Sequence, residues 1–316
     1  MHYVKIFALY TGVLLSVSGT AQEKDTVKVG IYITSLFDLS LTNHSFSADF
    51  WLWFNYRNDS LKPLETLEIV NAKKVEYSLA STEKKAGINW AAHKCKADVK
   101  KEWNIEHFPF DNQTLEIVAE EAIKDTAALV YLADVKNSQL DEAVKLEGWR
   151  IKSFKIKGGY ATYKTTYGDP VLKGTSSYPH VIISIVLERV GLGLFFKLFI
   201  GVYIAFAIAI LVFWIDPAEI DSRFGLSVGS LFAAVGNKYI VDSVLPETIV
   251  FTLADKVHLL TFFFVFISLL ISTRTSYLHK QHKPKLAKKV DRTAFYITTG
   301  LYILVNAILI GVALMD

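Results

Sequence analysis

Six residues of one short stretch share a single helical face. In DSRFGLSVGSLFAAVGNKYIVDSVLP (Asp221–Pro246), Gly225, Gly229, Phe232, Gly236, Tyr239 and Ser243 are spaced 4, 3, 4, 3 and 4. Two kinds of chemistry suit such a face. Small residues at four-residue spacing let helix backbones approach closely. They also leave room for water, and isolated aromatic rings among them can close a water path by dewetting. A second face, built from Ser227, Ser230 and Asn237, is the polar alternative. Glu219 and Asp221 stand at the head of the stretch. Carboxylates there attract cations and repel anions at close range, and they equally suit the positive end of a helix. At the other end Asp242 follows Lys238 by four residues, a spacing that also allows a simple pair.

A second group is aromatic. Tyr163, Tyr167 and Tyr178 fall within or beside the loop YKTTYGDPVLKGTSSYPH, and Trp51 and Trp53 share one side of ADFWLWFNY. Aromatic faces hold ammonium groups, although aromatics on strands also serve packing. Other chemistries find little support. His93 and Cys95 are neighbours without a second ligand pair at metal spacing. There is no phosphate-cradling glycine loop and no nucleophile elbow, and no basic stripe interleaved with aromatics. The expectation is therefore no enzyme, no cofactor, no metal and no nucleic acid.

These residues need elements to position them. The chain has 316 residues, 52% hydrophobic, with mean hydropathy +0.30 and net charge +3. The apolar excess lies toward the C-terminus, which predicts a soluble domain joined to a membrane domain. At the start, Lys5 precedes an apolar core from Ile6 to Val17, then Gly19 and Ala21. That order predicts a signal peptide over residues 1–21, with a short membrane anchor as the alternative. Cys95 is the only cysteine, so no intrachain disulfide can form. Val27, Val29, Ile31 and Ile33 alternate with other residues, as do Ala48, Phe50, Leu52 and Phe54, and QTLEIV and HVIISIVLE repeat the pattern. Residues 22–190 thus read as a β-sandwich, and residues 191–316 as membrane helices over roughly 192–215, 221–245, 254–273 and 294–315. The basic segment 274–292 reads as a cytoplasmic linker. With the β domain exported, that orientation closes only if the glycine-rich stretch also crosses.

EHFPFDNQTLEI (Glu106–Ile117) resembles the signature loop of the pentameric ligand-gated ion channels, the Cys-loop receptor superfamily. The two cysteines that close this loop in eukaryotic members are Lys101 and Leu115 here, which places the likeness with the bacterial branch. Arg189 falls at the family's arginine just before the first span, and four spans follow in the family's order. Two departures stand out. Gly201 replaces the proline usual in the first span, and the chain before the signature loop is short and lacks a tryptophan-proline element.

The resemblance implies an immunoglobulin-like, extracytoplasmic β-sandwich on a four-helix transmembrane domain, in a bacterial inner membrane. Four further copies would complete a homopentamer around a central pore. The second helix would line it through Gly225, Gly229, Phe232, Gly236, Tyr239 and Ser243, with Phe232 as main gate and Tyr239 as second constriction. Asp221, with Glu219, would make the selectivity ring of a cation pathway. The agonist, a small ligand or a proton, would bind at subunit interfaces between Tyr163, Tyr167 and Tyr178 on one side and Trp51 and Trp53 on the other. Coupling would run through Phe108, Pro109, Phe110, Asp111, Asn43, His44, Pro246 and Arg189, with Asp111 and Arg189 as a partly buried ion pair. The alternative is a non-conducting membrane sensor or scaffold of the same fold.

Overall fold

The computed structural model describes residues 24–170 and 174–315, so the expected signal peptide lies outside the described residues. The N-terminal part holds β1 (Asp25–Ser40), β2 (Ser45–Tyr56), the single-turn α1 (Pro63–Thr66), β3 (Leu67–Ile69), β4 (Ala72–Lys85) and β5 (Ile88–Lys100). After the signature segment come β6 (Asn112–Glu121), β7 (Leu129–Ala133), β8 (Gln139–Leu140), β9 (Trp149–Tyr163) and β10 (Ser176–Arg189). One sheet runs β4-β5-β2-β1-β7 with β8 also on β1, and the other runs β3-β6-β10-β9.

Alternation decides which side of each strand faces the core. On β1, Val27, Val29, Ile31 and Ile33 are buried, and on β2 so are Phe46, Ala48, Phe50, Leu52 and Phe54. Ile31 lies opposite Leu52 and Ile33 opposite Phe50. From the second sheet, Leu115, Ile117 and Ala119 of β6 and Val181, Ile183, Ile185 and Leu187 of β10 enter the same core. Each such side chain, fully buried, contributes about 1.5–3 kcal/mol. The even-numbered residues of β10 from His180 onward face away from this core.

Four long helices follow: α2 (Gly191–Leu211), continued by a 3-10 turn at Val212–Trp214, then α3 (Ile220–Asp242), α4 (Leu253–Lys280) and α5 (Pro284–Met315). All four are long and apolar enough to cross a membrane. Exposed Phe196, Ile200 and Ile204 on α2, and Ile297, Leu301 and Ile308 on α5, give them apolar outer surfaces. The protein is a membrane protein with a soluble, sheet-rich N-terminal domain. The segment 274–292, read from its charge as a linker, is mostly helical: α4 continues through Lys280, α5 starts at Pro284, and only three residues separate them. Charge reports where the apolar layer ends, whereas backbone hydrogen bonds carry a helix into water.

Three contacts organise the bundle. Arg223 of α3 is fully buried and pairs with Asp291 of α5 at 2.6 Å, while also donating to Thr275 of α4 at 2.8 Å and to the Ile215 carbonyl at 2.6 Å. Phe206 stacks on Tyr302 at 3.6 Å, and the Tyr302 hydroxyl meets Thr261 at 2.7 Å. At the opposite end Thr252 and Asp255 form a capping box that starts α4.

Candidate functional site

The glycine face of α3 is open. A Cβ placed on Gly225, Gly229 or Gly236 would meet nothing within 4 Å. Phe232 is 71% exposed and Tyr239 78% exposed, and Ser243, which caps the helix, is exposed too. The alternative face is mostly consumed inside the subunit. Ser227 and Ser230 are buried, and their hydroxyls donate to carbonyls one turn back. Asn237 donates to the Leu198 carbonyl at 3.0 Å, and its side-chain oxygen lies 3.0 Å from Nε2 of buried His258. Gly201 is where α2 makes room for this amide, since a Cβ there would sit 2.8 Å from it. The two faces therefore separate by physics: the polar one satisfies hydrogen bonds within the bundle, and the glycine one is available to something outside the subunit.

Charges flank the open face. Glu219 and Asp221 are exposed at the head of α3, and Ser222 donates to Glu219 at 3.2 Å. At the other end Lys238 pairs with Asp242 and, at 2.9 Å, with Asp255 of α4. The pairing spacing read for Asp242 is thus occupied.

The junction between sheets and helices is built around residues 106–111. Arg189 donates to Asp111 through Nε at 2.7 Å and a terminal nitrogen at 3.1 Å, and Gln113 donates to the same carboxylate at 2.7 Å. The guanidinium lies 3.9 Å from the Trp149 ring centroid and 5.0 Å from that of Phe108. Below, the loop rests on the start of α2. A Cβ on Gly191 would lie 2.2 Å from the Pro109 carbonyl oxygen, and the Phe110 ring is 5.4 Å from Phe195. It also reaches α4, because the Leu253 amide donates to the Glu106 carbonyl at 2.8 Å. Only glycine admits this approach of loop to helix. The turn of Asn43 and His44 makes its backbone bonds to Lys73 and Lys101 within the sheet domain, and Pro246 is buried.

The three tyrosines meet. Tyr163, Tyr167 and Tyr178 form a mutual cluster with ring centroids 6.0–6.2 Å apart. Tyr163 donates to Glu120 at 2.8 Å. Burial and this carboxylate push the Tyr163 hydroxyl well above its ordinary value. Trp53 is elsewhere: it lies over Gly30 and donates to Asp134 at 3.2 Å. Trp51 and Trp53 stand on the outer side of β2, in the other sheet from the tyrosines. Within one subunit the two aromatic groups belong to different sheets, so a shared ligand would need a second copy.

With the geometry in hand, the chain compares with a known protein along nearly its whole length. It is 22% identical over 315 residues, 92% of this chain and 83% of the relative, to a proton-gated ion channel of Gloeobacter violaceus (strain ATCC 29082 / PCC 7421). The likeness is to an ion channel. No protein-family model matches the chain. The match is too long to rest on the apolar helices alone, since those span only the C-terminal part.

Several contributors escaped sequence reading. Glu106, Gly191, Trp149 and Gln113 carry the junction, and Arg223 with Asp291 clasps the helices. The last pair had a signal. An arginine inside a membrane span requires a partner, and Asp291 is the only acid among the basic residues of 274–292. Glu120, which accepts from Tyr163, had none, because β6 and β9 come together only in three dimensions.

Proposed function

We propose that this chain is one subunit of a homopentameric, ligand-gated, cation-selective ion channel with an immunoglobulin-like extracytoplasmic domain in a bacterial inner membrane. The observation that carries the reading is the open glycine face of α3 in a chain resembling, over 92% of its length, a proton-gated channel. Five copies of that face around an axis make a pore of small residues, interrupted by rings of Phe232 and Tyr239. Those apolar rings hold the pore dry until they are drawn apart. Glu219 and Asp221 lie where a ring of carboxylates would concentrate cations at the entrance. Enzymatic chemistry has no part in this reading.

The agonist, a small ligand or a proton, acts on the soluble domain, and the relative's name favours the proton. Its binding shifts a closed–open equilibrium by as much as it prefers the open state. Arg189, Asp111 and the loop resting on Gly191 transmit the shift to α2, and Glu106 transmits it to α4. Mass measurement of the purified protein in detergent tests the assembly, for which a monomer or dimer is incompatible. Planar-bilayer recording during acidification tests conduction, and neutralising Glu219 and Asp221 together is expected to move the reversal potential under a salt gradient away from the cation value. An unchanged reversal potential removes them as the selectivity ring.

A further inference from the structure

Two buried polar atoms face each other in the second sheet without a hydrogen bond. The β6–β10 register sets Glu120 directly opposite His180. Glu120 Oε2 and His180 Nδ1 are 3.7 Å apart, and neither has any hydrogen-bond partner. Glu120 is only 4% exposed, although it and His180 point away from the sandwich core, whose β10 contributors are Val181 and Ile183. The cover includes Tyr163, held to Glu120 through its other oxygen, and the tyrosine cluster to which it belongs. Buried polar groups are nearly always satisfied, so an unbonded facing pair calls for an explanation.

With its proton on Nε2, the His180 imidazole presents Nδ1 as an acceptor toward an acceptor oxygen of Glu120, and two acceptors cannot bond. One proton placed between them supplies the donor and takes the pair's charge from −1 to zero. The other groups facing the pair favour that change. Glu68 of β3 lies cross-strand from Glu120 and adds a second negative charge. Tyr163 of β9, Tyr178 of β10 and Tyr167 of the intervening loop bring no cation to the pair. Behind the sheet, Tyr131 of β7 donates to Glu121 at 3.1 Å. Among the described residues no lysine or arginine forms an ion pair with Glu120. Burial, with help from Glu68 and against the Tyr163 hydrogen bond, raises the Glu120 carboxyl above its ordinary value, and burial lowers the His180 imidazole. Both shifts express one cost, that of keeping charge in a covered site.

We propose that Glu120 and His180 form a proton-binding site that ties the β9–β10 hairpin to β6, and that its occupancy is the stimulus read by the channel. This rests on the channel reading of the preceding subsection. The step is the uptake of one proton, with no bond broken and nothing else consumed. A hydrogen bond closes the 3.7 Å gap by about 0.9 Å. His180 moves with its strand, because its ring abuts Gly159 of β9, where a Cβ would lie 3.0 Å from Nε2. β10 carries His180 near one end and Arg189 at the other. One continuous strand therefore connects the proton to the junction above α2.

Two substitutions separate this proposal from a structural role because their effects have opposite signs. Glu120→Gln keeps the Tyr163 acceptor and offers His180 a permanent N–H donor, so activation moves to higher pH or becomes constitutive. His180→Phe removes the second partner and moves activation to lower pH. In each case the half-activating proton concentration is expected to change about tenfold or more, which is one pH unit. The full-length protein would be recorded in vesicles of phosphatidylcholine and phosphatidylglycerol, after size-exclusion chromatography confirms that each variant assembles as the parent does. Infrared difference spectra of the same vesicles between neutral and acid pH give a readout independent of current. A protonated-carboxyl band gained on acidification and absent in Glu120→Gln supports the site. No such band, or an acid-evoked current whose midpoint is unmoved or moves the same way in both variants, overturns it. The band without any acid-evoked current in the parent leaves the proton site standing and overturns its link to conduction, a failure of the channel reading instead.

Discussion

Replacing Asp111 by alanine leaves the Arg189 guanidinium at the domain junction without its carboxylate. The side chains of Asp111 and Arg189 are 3% and 9% exposed, so water cannot substitute for the lost partner. Stranding one member of such a pair costs about 3–5 kcal/mol. Arg189 keeps its stack on Trp149 at 3.9 Å, which returns about 1–2 kcal/mol in a desolvated setting. The Asp111→Ala cost is therefore about 3 kcal/mol. Arg189→Ala costs about as much, since Asp111 then retains only the Gln113 donor at 2.7 Å. In the double variant no charge is stranded, so its cost falls short of the sum by about 2–3 kcal/mol, the coupling expected of residues in direct contact. At roughly 2–4 °C per kcal/mol for a protein of this size, each single variant melts about 6–12 °C lower. The double variant melts at nearly the same temperature as either one. Thermal loss of the assembled peak on size-exclusion chromatography measures all four proteins, and tryptophan emission, to which Trp149 contributes, reports the junction itself. Additive shifts would refute the reasoning, because they would mean that the two side chains act independently despite their contact.

Three further outcomes follow from the same structure. Arg223→Gln breaks the buried clasp to Asp291 and strands that carboxylate, so it is expected to cost about 3–5 kcal/mol, read as loss of assembled protein on heating; an unchanged melting temperature would remove the clasp from the account. Phe232→Ala removes the main apolar ring proposed for the open face of α3, and bilayer recording should then show a standing current at neutral pH, whereas a silent variant argues against that gate. Burial pushes the Asp134 carboxyl up, but Lys28, Asn137 and Trp53 outweigh it and hold the group below its ordinary value. Its contribution to stability is accordingly present above the ordinary carboxylate range and is lost as pH falls through the lowered folded value. The parent should lose more stability between neutral and strongly acid pH than Asp134→Asn, and equal losses would contradict this.

Much of the architecture was legible because it rests on periodicity. Val27, Val29, Ile31 and Ile33 alternate in the sequence and are all buried in the structure. Apolar runs located four membrane-length helices, including α3, whose composition is the poorest for lipid, but α4 ends seven residues beyond its apolar run and α5 starts ten residues before its own. The Asp111–Arg189 contact was anticipated through the signature loop, and the bidentate geometry is present. Charge was a poorer guide. The basic segment 274–292 looked like a linker and is mostly helix, because lysine is a good helix former. Spacing put Trp53 beside Trp51 on one side of its strand, but the seat that Gly30 gives it on the neighbouring strand and the partner it finds in Asp134 are visible only in the structure.

What the sequence determined by itself were the properties that depend on spacing along the chain: which strand residues face the core, which segments are long and apolar enough to cross a membrane, and which residues of α3 share a side. Tertiary structure decided which of the two α3 faces stays open. Ser227, Ser230 and Asn237 find hydrogen-bond acceptors inside the subunit, and the glycine face finds nothing within reach. It also brought Glu120 opposite His180 and left them unbonded. The reason is physical. Periodicity is a local property of helix and strand, whereas satisfaction of a buried polar group depends on partners that lie 60 residues away and meet only when the sheets pair.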